Sequence, residues 1–188
     1  MSGSAASAAP DSRPGRRGEA GHADPLASAR EICLHQLAAR PRSRAELAAV
    51  MRRRGVEEDV AERVLDRLVE VGLVDDEAFA AAFVSSARAG RGLGRRALAV
   101  ELRRRGVEPE VSEAALASVE VEDEEETARA LVARRLRAMG GLPEPVRVRR
   151  LVALLTRKGY PLDLVMRVVT EAVPATDGED CDPDQLSG

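Results

Sequence analysis

Arginine is the side chain through which this protein can act. Between positions 88 and 105, Arg88, Arg91, Arg95, Arg96, Arg103, Arg104 and Arg105 stand against Glu101 alone, a local charge of +6. Between 134 and 158, Arg134, Arg135, Arg137, Arg147, Arg149, Arg150, Arg157 and Lys158 stand against Glu144 alone, or +7. A guanidinium presents a planar fork of donors that matches carboxylate and phosphate. The chemistry on offer is therefore anion binding, to a polyanion or to an acidic protein surface. Helical spacing sharpens it. Arg150 and Arg157 are seven apart and share a helix face with Arg149 beside them, opposite Val148, Leu151 and Leu155. Arg96 and Arg103 share a face in the same way. A plainer role competes, because cations just before a helix-ending glycine gain about 0.3–1 kcal/mol from the helix dipole. That role suits Arg52–Arg54 best, since the later clusters also occupy loops and helix middles. Only Lys158 of the 29 basic residues is lysine, and a GC-rich genome produces that bias by itself, so the preference for arginine carries no functional weight.

Other chemistry is missing. The histidines are His22 and His35; Cys33 and His35 lie two apart on a helix and point to different faces, a poor metal pair. Arg91-Gly92-Leu93-Gly94 lacks the spacing, the preceding strand and the Gly-Lys-Ser/Thr of a phosphate loop. Glu122–Glu126 reads as a solvated helix start rather than an acid/base pair. The expectation is a non-enzyme with no catalytic residue, no metal and no cofactor.

The elements that carry the arginines are set by a phrase written three times. Met51-Arg52-Arg53-Arg54-Gly55-Val56 returns as Leu102-Arg103-Arg104-Arg105-Gly106-Val107 and as Leu155-Thr156-Arg157-Lys158-Gly159-Tyr160. The glycines fall 51 and 53 residues apart, a period that signals stacked supersecondary units. Each phrase reads as a basic helix end, a glycine in the left-handed position that closes it, and a second apolar-periodic helix beyond.

Reading outward gives nine helices. Ser28-Ala29-Arg30-Glu31 is a capping box that starts the first, with Ala29, Ile32, Cys33 and Leu37 as its stripe. Ser43-Arg44-Ala45-Glu46 starts the second, which ends at Gly55, and the third carries Val60, Val64, Leu68 and Val71 up to Gly72. Asp75-Asp76 caps the fourth, where Phe79 and Phe83 share a core face and which ends near Gly90. Leu98 and Leu102 lie on the fifth, closed by Gly106, and Pro109 opens the sixth. The seventh runs from Glu122 to Gly140-Gly141, Pro145 opens the eighth, and Pro161 opens the last. The expected fold is all-α: three tandem three-helix, helix-turn-helix-like repeats at 27–73, 74–121 and 122–173 in an elongated, curved array. Residues 1–26 and the acidic stretch 174–188 read as disordered tails.

Composition agrees. The chain has 188 residues, 44% hydrophobic and 2% aromatic, so its core is Ala, Leu and Val in tightly packed helices. Net charge is −3, so a simple nucleic-acid binder is not indicated by the total and only the local clusters are basic. The first 26 residues lack a basic start followed by an apolar run, and no apolar stretch reaches membrane-spanning length. The two cysteines suggest a reducing compartment. Neither a secretory signal nor a membrane span is expected, and a cytoplasmic monomer is. Three-helix units also resemble helix-turn-helix readers of DNA. Asn is absent and Gln occurs only at 36 and 185, so the modules lack the adenine-reading pair, and DNA contacts would be to phosphates and salt-sensitive.

The phrase Gly72-Leu73-Val74-Asp75-Asp76-Glu77-Ala78-Phe79-Ala80, followed by Phe83-Val84, Arg88, Gly94 and the basic helix end at Gly106-Val107, resembles the signature of the RecX family. The resemblance spans the body of the chain and leaves out both tails. It implies a modulator of the recombinase RecA, acting in DNA repair, homologous recombination and the SOS response. Such proteins bind the nucleoprotein filament, commonly in its helical groove, and limit filament growth, ATP hydrolysis and strand exchange. Arg88, Arg91, Arg95, Arg96, Arg103, Arg104, Arg105, Arg147, Arg149, Arg150, Arg157 and Lys158 become candidate RecA- or DNA-binding surface; Asp75, Asp76, Phe79, Gly55, Gly106 and Gly159 are structural. The alternatives are a stand-alone helix-turn-helix DNA-binding protein and a scaffold for another acidic partner.

Overall fold

A computed structural model describes residues 24–174, and these form helices without strands. The helices are α1 (Pro25–Ala39), α2 (Arg44–Arg53), α3 (Glu58–Glu70), α4 (Asp76–Arg91), α5 (Arg95–Arg104), α6 (Pro109–Ala117), α7 (Val121–Arg137), α8 (Glu144–Lys158) and α9 (Leu162–Ala172). They group as three modules, each with its own core. The first packs Cys33, Leu47, Met51, Leu65 and Leu68. The second packs Phe79, Val84, Leu98, Leu102 and Leu116, and the third Val132, Leu151, Leu155, Val165 and Val169. The tandem all-α architecture is the one the repeated phrase predicts. Residues 1–23 and 175–188, with His22 and Cys181, lie outside the described residues.

The chemistry of the stops is as read. Gly55, Gly106 and Gly159 have φ of 76°, 70° and 86°, left-handed values at which a Cβ crowds the backbone. Each frees the chain to turn directly into the third helix of its module.

Several helix ends differ from the sequence reading. The first helix starts three residues before Ser28. The Asp24 carboxylate accepts from the Leu26 N–H at 3.1 Å, and Pro25 supplies a fixed φ in the first turn, so Pro25 and Leu26 belong to the body and not to the tail. α4 runs through Gly90 and closes at Gly92, φ 57°, since a helical glycine costs only about 1 kcal/mol. α7 ends at Arg137, ahead of Gly140-Gly141. Asp75 caps α4 as expected, accepting from the Ala78 N–H at 2.8 Å. At α2 only half of the expected box forms. Ser43 Oγ accepts from the Glu46 N–H at 3.1 Å, but the Glu46 carboxylate turns away to Arg40 and Arg105.

Candidate basic interface

The second helix of each module carries most of the candidate basic residues, with Arg88 and Arg91 on α4, and the modules meet end-on through those second helices. At the joint between the first and second modules, the Ser43 hydroxyl at the start of α2 donates to the Arg105 carbonyl at the end of α5, 2.6 Å away. The Arg44 N–H donates to Asp76 Oδ1 at 2.8 Å, so an acid opening the second module also caps the first module's α2. Arg105 reaches Glu46 at 2.9 Å, and its guanidinium lies 4.6 Å from the Phe83 ring centre. Phe83 in turn stacks on the buried Phe79, with centroids 6.3 Å apart.

The joint between the second and third modules repeats the scheme. The Gly94 N–H donates to the Lys158 carbonyl at 2.8 Å. The Arg95 N–H donates to Glu124 Oε1 at 2.7 Å. Lys158 Nζ donates to the Arg91 carbonyl, and Arg88 approaches Asp123 at 3.7 Å. Glu124 corrects the reading of its acidic run as a solvated helix start. It is 7% exposed, because Gly94 has no side chain to cap α5 and the next module must supply one.

Gly106 and Gly159 are required twice over. A Cβ on Gly106 would sit 2.3 Å from the Ala45 Cβ, and one on Gly159 would sit 2.4 Å from the Ala97 backbone nitrogen. Gly55 has the same backbone but open space around it among the described residues.

Tyr160 follows Gly159 into the joint. Its hydroxyl donates to the Gly92 carbonyl at 3.2 Å. Burial, aided by the charge of Glu124, pushes its pKa up to about 12. A phenol that resists ionisation when folded ionises first in the unfolded chain. Its contribution is therefore intact below pH about 10, and is lost as pH climbs from about 10 to about 12. Alkaline titration of melting temperature should show that decline, and Tyr160→Phe should flatten it; an unchanged slope would place the ring in solvent.

The joints divide the twelve candidate basic residues. Arg105 is bound up in the first joint, and Arg88 and Lys158 in the second. Arg147 is half-buried. Arg91, Arg95, Arg96, Arg103 and Arg104 in the second module, and Arg149, Arg150 and Arg157 in the third, are exposed. Of these, Arg96 and Arg103 share the outer face of α5, and Arg150 and Arg157 that of α8, with Leu151 and Leu155 fully buried opposite. These four, with Arg149, form no ion pair among the described residues. Arg104 is 3.4 Å from Glu101. The sequence reading missed Arg42 and Arg53. They line a groove at the first joint together with Arg103, Arg104 and Arg105. Arg53 belongs to a run that helix-end chemistry explained well enough, and only the joint brings it beside the next module's arginines.

No cluster of metal-ligating side chains occurs among the described residues. No helix there is long and apolar enough to cross a membrane.

Comparison with known proteins follows the modules one by one. Family models for the first, second and third three-helix domains of RecX match residues 29–68, 75–116 and 122–169. The chain is 51% identical over 157 residues to the regulatory protein RecX of Streptomyces coelicolor, covering 84% of this chain and 83% of that one. It is likewise 51% identical over 165 residues to the regulatory protein RecX of Thermobifida fusca, covering 88% of each. The crystal structure of RecX from Lactobacillus salivarius shares the fold, with a TM-score of 0.71 at 19% identity over 80% of this chain and 97% of that one. A second crystal structure of a regulatory protein RecX gives 0.69 at 25% identity, over 78% of this chain and 72% of that one. With all three domains matched in order and half the residues shared with such relatives, this chain belongs to the RecX family.

Proposed function

We propose that this protein is a non-enzymatic regulator of RecA that binds the recombinase's nucleoprotein filament and limits its growth, ATP hydrolysis and strand exchange. The observation that carries the reading is the exposed arginine stripe repeated on α5 and α8. Two adjacent modules offer the same basic face, and the joint holds them in fixed register. A repeating basic face suits a repeating anionic partner, because each weak contact adds to the next through effective concentration. The relatives' name, regulatory protein RecX, points to RecA as that partner. Arg91, Arg95, Arg96, Arg103, Arg104, Arg149, Arg150 and Arg157 are the proposed contact residues, meeting acidic RecA surface or DNA phosphates. Arg42 and Arg53 extend the surface at the first joint. The protein works as a cytoplasmic monomer, with modules 27–73, 74–121 and 122–173 as its binding units.

The test is the single-stranded-DNA-dependent ATPase rate of cognate RecA, titrated with this protein up to equimolar. Inhibition well below equimolar would mark action at growing filament ends, and inhibition only near equimolar would mark coating of the groove. An unchanged rate would sink the reading in favour of a stand-alone DNA-binding module.

A further inference from the structure

Among the described residues there are three copies of the α2-type helix end, and two of them are occupied. At the end of α5, the Arg105 carbonyl accepts from Ser43 Oγ, and Gly106 lies against Ala45. At the end of α8, the Lys158 carbonyl accepts from the Gly94 N–H, and Gly159 lies against Ala97. In both joints the occupant is the start of a helix. It offers a donor at the cap position, an alanine in the first turn, and a backbone N–H held by an acid on the receiving module's own first helix, Asp76 or Glu124, a contact that α1, with no acid in its first turn, does not supply. The third copy is at the end of α2. Gly55 has the same left-handed backbone, φ 76°, and nothing within 4 Å of a Cβ built there. Arg52, Arg53 and Arg54 are exposed, and the Arg54 carbonyl, equivalent to those of Arg105 and Lys158, accepts no hydrogen bond among the described residues.

A second copy of this chain does not fit that end. Among its second helices, the one start left unused by a joint is that of α8, where Pro143 holds the cap position of Ser43 and Gly94. Proline has no N–H and no hydroxyl to donate. The places of Ala45 and Ala97 are taken by Pro145 and Val146, too large to lie against a glycine. Among the described residues the array is thus closed at the third module and open at the first.

We propose that the open end of α2, built from Arg54 and Gly55, docks the N-terminal end of a helix on a protomer of the filament. That helix carries Ser, Thr or Gly at its cap, a small residue in its first turn, and a carboxylate beside it for Arg54. The inference rests on the reading of this chain as a filament-binding regulator. It adds a directional contact through the first module to the basic stripe of the second and third.

The experiment measures binding of the full chain to cognate RecA filaments assembled on single-stranded DNA, for wild type, Gly55→Asn, Arg54→Glu and the control Gly72→Asn. Asparagine tolerates the left-handed backbone, and Gly72, φ 70°, has equally open surroundings, so the two asparagine variants carry matched strain. The expected result is a loss of tenfold or more in affinity for Gly55→Asn and Arg54→Glu, with Gly72→Asn binding near wild type and the two asparagine variants melting alike. Wild-type binding that neither variant weakens would overturn the inference and leave the regulator reading standing. Weakening by Arg54→Glu alone would mark a charge contact without a docked helix, and would also overturn it. Self-association of the wild type that Gly55→Asn abolishes would assign the end to a second copy. Tighter binding on removal of residues 1–23, seen in wild type but not in Gly55→Asn, would assign it to the chain's own N-terminal segment. Either overturns the proposal. A wild type that does not bind the filament at all overturns both this inference and the reading beneath it.

Discussion

Replacing Gly159 by alanine should destabilise the joint between the second and third modules by about 2–5 kcal/mol. Two costs add. A non-glycine residue in the left-handed region costs about 1–2 kcal/mol. Forcing a methyl into a closed contact costs about 1–3 kcal/mol more, and here the obstacle is backbone, the Ala97 nitrogen 2.4 Å from the new Cβ. Gly106→Ala meets the Ala45 Cβ at 2.3 Å and should behave similarly. Gly55→Ala is the internal control, with the same φ class and open space, and should show only the backbone cost of about 1–2 kcal/mol. Urea unfolding followed by helical circular dichroism separates the cases. Because each module has its own core, loss of a joint should also broaden or split the transition as neighbours cease to melt together. Equal midpoints for the Gly159 and Gly55 variants would show that the modules do not pack end-on in solution.

Charge reversal on α8 should have the largest effect on binding. Arg149→Glu, Arg150→Glu and Arg157→Glu together remove three exposed cations and install three anions on one module. At roughly 1 kcal/mol for each exposed ion pair removed, filament affinity should fall about 100-fold. Wild-type binding should weaken steeply with added salt, and the variant's salt response should be flatter. Helicity should not change, because Leu151 and Leu155, which anchor α8, lie on its other side. Arg105→Glu offers an informative contrast. It should injure stability more than the α8 reversal does, since it breaks the Glu46 pair and uncovers Phe83 at the first joint. Unchanged binding by the triple variant would mean that the third module docks through another face.

These two expectations differ in how far they could be read from sequence. The helices, their number and the glycine stops are local properties. A left-handed glycine after a basic turn, a proline or acid at a helix start, and an apolar residue every three or four positions depend only on neighbours along the chain. The three-fold repeat of the phrase then fixes the modular plan, and the Asp75-Asp76 to Phe79 phrase gave the family. Where the local rules have two solutions, sequence alone does not choose between them: Ser28 and Asp24 are both competent caps, and the structure uses Asp24.

What sequence by itself determined is therefore the composition of each module and which residues are cationic. The tertiary structure alone decided which cations are free. Arg105 and Lys158 are written identically in kind to Arg54, at the same place in the same phrase. Two of the three are enclosed by the preceding module, and the first module has none before it among the described residues. The same asymmetry turns Glu124, one acid in a run of acids, into a buried cap for a helix that begins 29 residues earlier. Contacts between modules join positions far apart in the chain, and no periodicity within a module encodes which end of the array is left open.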